Sequence, residues 1–165
     1  MFELHLFESY KEEYPQLKGR DLTDRFICRA LEESGIRNAV IQRTDKGKPY
    51  LADGSAYISV SHSSDLIGIC VADEEVGIDL QHRRNSNVQK IANRFFSQDE
   101  VGYLKMQENA DAFYRLWTRK EAFAKLTGDG MGQLVKPVSV LQRTDVEFDD
   151  FMLEDGLYGC ICTYK

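Results

Sequence analysis

Residues 57–80, YISVSHSSDLIGICVADEEVGIDL, decide the fold. Within this stretch, residues 57–61 and 66–72 each predict a β-strand, the first by alternation of side chains and the second by a short apolar run. Residues 62–65 connect the two strands, and residues 73–75 turn the chain into a third strand at 76–80. A parallel pair needs a crossover of about a dozen or more residues, so these short connections predict an antiparallel meander.

Outward from the meander, the N-terminal side of the chain predicts a strand at 2–8, a helix at 21–34 and a short strand at 38–43, with a turn at 45–49. Asp21 is the expected N-cap of the helix and Gly35 its end. The C-terminal side predicts helices at 87–95, 98–106 and about 110–126, and strands at 138–144 and 156–164.

Two local signals support the helices of the C-terminal side. Ser97 and Glu100 have the spacing of a capping box, and residues 127–130, TGDG, end the long helix. Each half of the chain therefore opens with a strand, passes through helix and returns through strands, a pattern typical of two similar lobes.

Composition and charge exclude several classes of protein. The 165 residues are 42% hydrophobic and 29% charged, which is typical of a soluble globular protein. The net charge of −6 excludes a general nucleic-acid binder, since a phosphate footprint needs a basic excess. The longest apolar run, residues 66–72, is far too short to span a membrane, and residues 1–8 lack the features of a signal peptide, so we expect a cytoplasmic protein. The four cysteines are too scattered for a disulfide framework or a metal tetrahedron and are expected to be buried thiols.

Asp79 and Gln81 are the first candidates for a functional site. In a strand they project to one face, while Ile78 and Leu80 enter the core. A carboxylate beside an amide oxygen suits a hard cation such as Mg²⁺. The alternative is an Asp that ends a strand at a turn.

Residues 117–125, WTRKEAFAK, supply the second group of candidates. On a helix, Trp117, Glu121 and Lys125 lie on one side, with Lys120 beside them. The carboxylate could bind a metal or accept a proton, and the lysines could neutralise a pyrophosphate. The alternative is a surface Glu-to-Lys pair that stabilises the helix by about 0.2–0.5 kcal/mol.

The third group lies at the end of the strand at 57–61. Ser59 and Ser61 share one face and His62 ends the strand, where hydroxyls and an imidazole can bind a phosphate. A serine hydrolase is excluded because the Gly-x-Ser-x-Gly elbow is missing, and a polar hairpin turn remains the alternative. Lys48, in the turn Gly47-Lys48-Pro49, is weak evidence by itself.

Together and in order, these motifs resemble the Sfp-type 4′-phosphopantetheinyl transferases, from about residue 20 to residue 140. The segments that carry the resemblance are Gly47–Pro49, Ser59–Ser63, Val76–Asp79, Arg94–Ser97 with Glu100, and Phe113–Ala122 with Lys125. The pair formed by Gly-Ile-Asp and Trp-x-x-Lys-Glu-Ala-x-x-Lys is specific to that family.

The resemblance implies an α+β fold of two similar lobes, here residues 1–74 and 75–165, with mostly antiparallel strands and the active site between the lobes. It implies transfer of the 4′-phosphopantetheine group of coenzyme A to a serine of an apo acyl or peptidyl carrier protein, with Mg²⁺ as cofactor and 3′,5′-ADP as by-product. The implied metal ligands are Asp79 and Glu121 with Gln81 assisting, and Glu121 is also the implied general base. Coenzyme A is implied to contact Lys48, Ser61, His62, Lys120, Lys125 and Arg25.

Two departures from the family qualify this interpretation. Gln81 stands where such proteins often have Glu, and the N-terminal lobe is abbreviated, which leaves less surface for the adenine end and allows a dimer, although we expect a monomer. A carrier protein is usually acidic, so Arg115, Arg119 and Arg83-Arg84 are candidates for its docking surface. The competing functions are a non-catalytic module that binds coenzyme A or a carrier protein, and a Mg²⁺-dependent phosphohydrolase.

Overall fold

The computed structural model describes residues 1–107, 109–129 and 138–165. Eight strands and five helices are described, and the strands form two three-stranded antiparallel sheets and one short hairpin. The strands are β1 (Phe2–Phe7), β2 (Ile41–Arg43), β3 (Pro49–Leu51), β4 (Tyr57–Ser63), β5 (Leu66–Ala72), β6 (Val76–His82), β7 (Val146–Leu153) and β8 (Leu157–Tyr164). The helices are α1 (Tyr10–Glu13), α2 (Gly19–Glu33), α3 (Val88–Phe95), α4 (Gln98–Lys105) and α5 (Asp111–Thr127).

The two larger sheets have the same internal order. The first has the order β1-β5-β4 and the second β6-β8-β7, so in each the last strand in sequence lies between the other two. The structure thus confirms an α+β fold with antiparallel sheets, and the equal strand order supports the prediction of two similar lobes. The division at residues 74 and 75 stays a prediction.

Three apolar clusters fix the order of the layers. One face of the first sheet packs on α2 through residues such as Phe26, Ile67 and Ile69. Its other face packs on the second sheet, where Cys70 and Ile78 are fully buried. The far face of the second sheet packs on α5 in a third cluster, to which Cys160, Cys162, Phe123 and Leu126 belong. The layers are therefore α2, first sheet, second sheet and α5.

The structure corrects two predictions about the strands and adds two strands that were not predicted. The meander is wrong in its third strand, because β6 pairs with β8 instead of β5. The strand predicted at 138–144 is irregular: the backbone of Val138 and Val140 bonds to the side chains of Lys120 and Glu100 instead of a neighbouring strand. The strand at 146–153 was not predicted, nor was β3.

The boundaries of the four predicted helices are close to those observed, with one exception at the start of α2, and the short helix α1 was not predicted. The helix α2 begins at Gly19, so Lys18 is its N-cap and Asp21 lies in its first turn. The capping box of Ser97 and Glu100 is confirmed. Gly128, with φ 74°, follows the last residue of α5, while Gly130 of the predicted stop lies outside the described residues. The four cysteines are free, and three of them are buried. Across the described part of the chain, no helix is both long and apolar enough to cross a bilayer.

Candidate active site

The strands β4 and β6, each at the edge of its own sheet, lie side by side in parallel. Three serine hydroxyls of β4 take the place of a backbone ladder. Those of Ser59, Ser61 and Ser63 accept the backbone N–H groups of Ile78, Leu80 and His82 at 3.0, 3.0 and 2.9 Å. A sheet edge otherwise presents unpaired N–H groups, so this arrangement joins the two sheets and satisfies the edge of β6.

Gly77 lets α5 approach β6 closely. A Cβ atom at this position would lie 2.0 Å from the carbonyl oxygen of Ala122 and 2.5 Å from the backbone nitrogen of Leu126. Real Cβ atoms essentially never lie within 3.0 Å of such atoms, so only glycine fits between the strand and the helix. The close approach brings Asp79, two residues along β6, to the side chain of Lys125.

Asp79 is the centre of the site. The residue is 6% exposed, and its Oδ1 accepts a hydrogen bond from Ser61 Oγ at 3.1 Å and one from Lys125 Nζ at 2.9 Å. Its Oδ2 is buried and has no hydrogen-bond partner among the described residues. Burial raises the pKa of Asp79, against the opposing effect of Lys125. A buried carboxylate with one bare oxygen is suited to a cationic ligand.

Glu121 lies close enough to Asp79 for the charge of Asp79 to act on it, and Gln81 follows Asp79 by two residues on the same face of β6. Burial raises the pKa of Glu121, the charge of Asp79 raises it further, and Lys125 lowers it. Gln81 donates from its Nε2 to the carbonyl oxygen of His82 at 2.8 Å, which fixes the amide and leaves its oxygen as an acceptor. Two carboxylates and an amide match the few protein ligands that Mg²⁺ usually takes, with waters and phosphate oxygens completing its shell.

Lys120 is buried and paired with Glu100 of α4. Its side chain is 3% exposed, and its Nζ donates to Glu100 Oε2 at 2.8 Å and to the carbonyl oxygen of Val138 at 2.6 Å. The other oxygen of Glu100 accepts the backbone N–H of Val140. This buried pair anchors the chain at residues 138–140 to α4 and α5, and it does not fit a contact between Lys120 and a pyrophosphate.

A basic groove leads from α2 to Lys125. It consists of a cleft of about 700 Å³ and a smaller one of about 210 Å³, which share Gly47, Pro49 and Val60 in their walls. His62 lines the larger cleft and Lys125 the smaller one. Desolvation lowers the pKa of His62, and the nearby charges of Lys125 and Lys11 lower it further. The other basic residues in the walls of the two clefts are Lys11, Lys18, Arg20, Arg43, Lys46 and Lys48.

Three of the predicted contacts of coenzyme A have other partners in the structure. Ser61 is 4% exposed and bonded to Leu80 and Asp79, so its hydroxyl does not fit a direct contact with a phosphate. Lys48 donates to the carbonyl oxygen of Leu126 at the end of α5, at 2.9 Å, and its desolvation lowers its pKa. Arg25 lies over the ring of Tyr14, 5.2 Å from its centroid, outside the described walls of the groove.

Sequence reasoning missed four cations of the larger cleft, Lys11, Lys18, Arg20 and Arg43. A signal for two of them was present. Lys18 and Arg20 flank the first residue of α2, where the helix dipole disfavours cations. Cations at a helix N-terminus are expected where they and the free N–H groups meet a common anion. Arg43 forms an ion pair with Asp24 at the groove and gave no such signal.

Comparison with known proteins identifies the family of the chain. The model of the 4′-phosphopantetheinyl transferase superfamily matches residues 75–155, which contain Asp79, Gln81, Glu121 and Lys125. The chain is 33% identical over 139 residues to a 4′-phosphopantetheinyl transferase of Bacillus subtilis, covering 81% of this chain and 60% of that protein. It is 28% identical over 128 residues to the 4′-phosphopantetheinyl transferase gsp of Aneurinibacillus migulanus, covering 76% and 53%.

A vertebrate protein is also similar. The L-aminoadipate-semialdehyde dehydrogenase-phosphopantetheinyl transferase of Xenopus laevis is 31% identical over 157 residues, covering 85% of this chain and 50% of that protein. The chain belongs to the 4′-phosphopantetheinyl transferase superfamily. It spans about half to three fifths of the length of these relatives.

Proposed function

We propose that the protein transfers the 4′-phosphopantetheine group of coenzyme A to a serine of an apo acyl or peptidyl carrier protein, in a Mg²⁺-dependent reaction that releases 3′,5′-ADP. The observation that carries this proposal is the bare, buried Oδ2 of Asp79, whose carboxylate lies near Glu121 and is bound by Lys125, a residue in the wall of the smaller cleft. A divalent cation and a pyrophosphate would together complete the hydrogen bonding and charge of this site.

Asp79 and Glu121 would hold Mg²⁺ through carboxylate oxygens, and Gln81 would assist through its amide oxygen. Bound there, the ion would offset the charge of the pyrophosphate and align it for displacement. Two carboxylates suffice for Mg²⁺ when a substrate phosphate supplies further oxygens, so the neutral Gln81 is compatible with a functional site.

The basic groove would bind the nucleotide part of coenzyme A. Its 3′-phosphate would lie in the larger cleft, where Lys18 and Arg20 flank the N-terminus of α2 and Lys11 and His62 lie near one another. The volume of about 700 Å³ is within the range of small-molecule sites, about 300–1,000 Å³. The pyrophosphate would then extend toward Lys125 through the smaller cleft.

Glu121 would accept the proton released in the reaction, and Lys125 would stabilise the charge that develops. The serine oxygen of the carrier forms a bond to the β-phosphorus, the bond from that phosphorus to the bridging oxygen breaks, and the serine proton passes to Glu121. The raised pKa of Glu121 brings it closer to neutral pH, which suits a general base. Lys125 would stabilise the charge that develops on the departing 3′,5′-ADP.

The carrier protein would dock beside the C-terminal end of β6. No acidic residue lies between Asp79 and Asp99, whereas Arg83, Arg84, Lys90 and Arg94 lie there. Arg84 is held through its backbone, whose N–H and carbonyl both bond to the hydroxyl of Tyr114. An acid-free segment in a chain of net charge −6 suits an acidic partner. Two of the predicted docking residues are already paired, Arg119 with Asp150 and Arg83 with Asp111.

The reaction is tested by incubating the protein with and without an apo carrier protein and measuring the release of 3′,5′-ADP by chromatography. We expect release only when Mg²⁺, coenzyme A and the apo carrier are all present, because the serine is the acceptor. Release without a carrier would favour the phosphohydrolase. Binding of coenzyme A without release, on apo acyl and apo peptidyl carriers alike, would favour the non-catalytic module. A cytoplasmic location remains a prediction, as does a monomer.

A further inference from the structure

The three serines that join β4 to β6 are not equivalent. Each accepts a backbone N–H of β6 at 2.9–3.0 Å, so each uses one lone pair in the same way. A serine hydroxyl also has one proton to donate. The hydroxyls of Ser61 and Ser63 each have a second side-chain neighbour, and these neighbours differ. Ser61 lies 3.1 Å from Asp79 Oδ1, and Ser63 lies 3.0 Å from Nδ1 of His82.

The bond that Ser61 accepts fixes the direction of the one it gives. With Leu80 N–H bound to its oxygen, the hydroxyl proton of Ser61 is free to point at Asp79 Oδ1, and a carboxylate oxygen can only accept. The residue is 4% exposed, so water does not compete for this proton. Ser61 is therefore a donor to Asp79, held in place by the backbone of the strand that carries Asp79.

Both donors to Asp79 bind the same oxygen. Ser61 and Lys125 both donate to Oδ1, which restricts rotation of the carboxylate and leaves Oδ2 as the bare oxygen. Lys125 is 30% exposed in its side chain and long, whereas Ser61 is short and buried. Of the two donors, Ser61 is the one with the fewer conformations and so fixes the carboxylate more firmly.

We propose that Ser61 is a positioning residue that holds Asp79 so that Oδ2 is presented to a divalent cation. The inference rests on the proposed function, since the cation is the Mg²⁺ of that reaction. It replaces the predicted contact of Ser61 with coenzyme A. Partners that orient a metal-binding side chain typically affect metal affinity by about 10- to 100-fold when they are removed.

Ser61→Ala tests the inference, with Ser63→Ala as a matched control and Ser61→Thr as the rescue. Both alanine variants lose a buried hydroxyl and a bond to a backbone N–H of β6, but only Ser61→Ala loses the bond to Asp79. The readout is the affinity for Mn²⁺ in the presence of coenzyme A, measured from the electron paramagnetic resonance signal of the free ion. Thermal unfolding measures the structural cost of each change.

We expect Ser61→Ala to weaken Mn²⁺ binding about 10-fold or more, Ser63→Ala to change it less than about 2-fold, and Ser61→Thr to recover most of the loss. The two alanine variants should unfold at similar temperatures. Equal weakening by both alanine variants would mean that the serines act only by joining the sheets, and unchanged binding in Ser61→Ala would overturn the inference. If the variants show this pattern of Mn²⁺ binding but the wild-type protein transfers nothing, the proposed function is overturned and the inference about Ser61 stands.

Discussion

Replacing Gly77 by alanine should separate the two halves of the active site. The new methyl group would lie 2.0 Å from the carbonyl oxygen of Ala122, and that oxygen belongs to the backbone of α5, which cannot rotate away. The helix must retreat by about 1 Å to restore even the 3.0 Å below which Cβ contacts are essentially not found. Because α5 carries Glu121 and Lys125 while β6 carries Asp79, the retreat opens the distance between them.

Two magnitudes follow from this displacement. Overpacking of this kind typically destabilises a protein by about 1–3 kcal/mol. For a chain of this size that corresponds to a decrease in Tm of about 2–4 °C for each kcal/mol. A misplacement of about 1 Å in a catalytic group can lower a rate by about 100-fold. We therefore expect Gly77→Ala to fold with a modestly lower Tm and to lose about two orders of magnitude in transfer.

Gly102→Ala is the control. Gly102 lies within α4, and a Cβ atom there would meet no atom within 4 Å, so alanine should raise the helix propensity by up to about 1 kcal/mol and leave transfer unchanged. The assay combines thermal unfolding with the initial rate of carrier modification under saturating coenzyme A. A Gly77→Ala variant with wild-type rate and Tm would refute the reasoning that the close approach of α5 to β6 builds the site.

Three other predictions concern single side chains. Glu121→Gln should abolish transfer while coenzyme A binding, measured by calorimetry, stays within a few fold, and a wild-type rate would exclude both the ligand and the base role. Lys120→Met should lower the free energy of unfolding by about 3–5 kcal/mol, because it leaves Glu100 buried without its partner, whereas Lys125→Met should mainly lower the rate of transfer. Urea denaturation and rate assays measure the two effects. A Lys120→Met variant that loses mainly rate and a Lys125→Met variant that loses mainly stability would show that Lys120 belongs to the active site. The pKa of His62 is lowered in the folded protein, so as the pH falls below about 6.5 the unfolded chain takes up the proton first and the free energy of unfolding decreases. Between pH 7 and pH 5, His62→Gln should therefore lose less of this free energy than the wild type, as measured by urea denaturation. An equal loss in both proteins would contradict the lowered pKa.

Local signals in the sequence predicted most of the fold. The capping box at Ser97 and the glycine after α5 depend on residues a few positions apart, so the sequence contains what is needed to place these boundaries. The strand β7 was missed because its sequence, VEFDDFML, contains three acidic residues, which are depleted in strands in general but tolerated at an exposed sheet edge. The pairing of β6 with β8 depends on partners about 80 residues away, and the short connection from β5 favoured the wrong partner.

In the candidate site, too, the sequence predicted what depends on local spacing and missed what depends on contacts between distant elements. Spacing on α5 placed Glu121 and Lys125 on one side of the helix, and the structure brings both to Asp79. The same helix spacing could not show that Lys120 would pair with Glu100 of α4, because that contact depends on the packing of two helices. The role of Ser61 was also out of reach, since it depends on a strand from the other sheet.

The measurement that tests the central claim most directly is the intact mass of an apo carrier protein after incubation with the protein, coenzyme A and Mg²⁺. Apo acyl and apo peptidyl carriers are tested in parallel, each with wild-type protein and with Glu121→Gln. The account predicts that at least one carrier gains a single phosphopantetheine unit on its serine with the wild type and none with the variant. An unchanged mass of both carriers, with coenzyme A bound by the wild type, would contradict it.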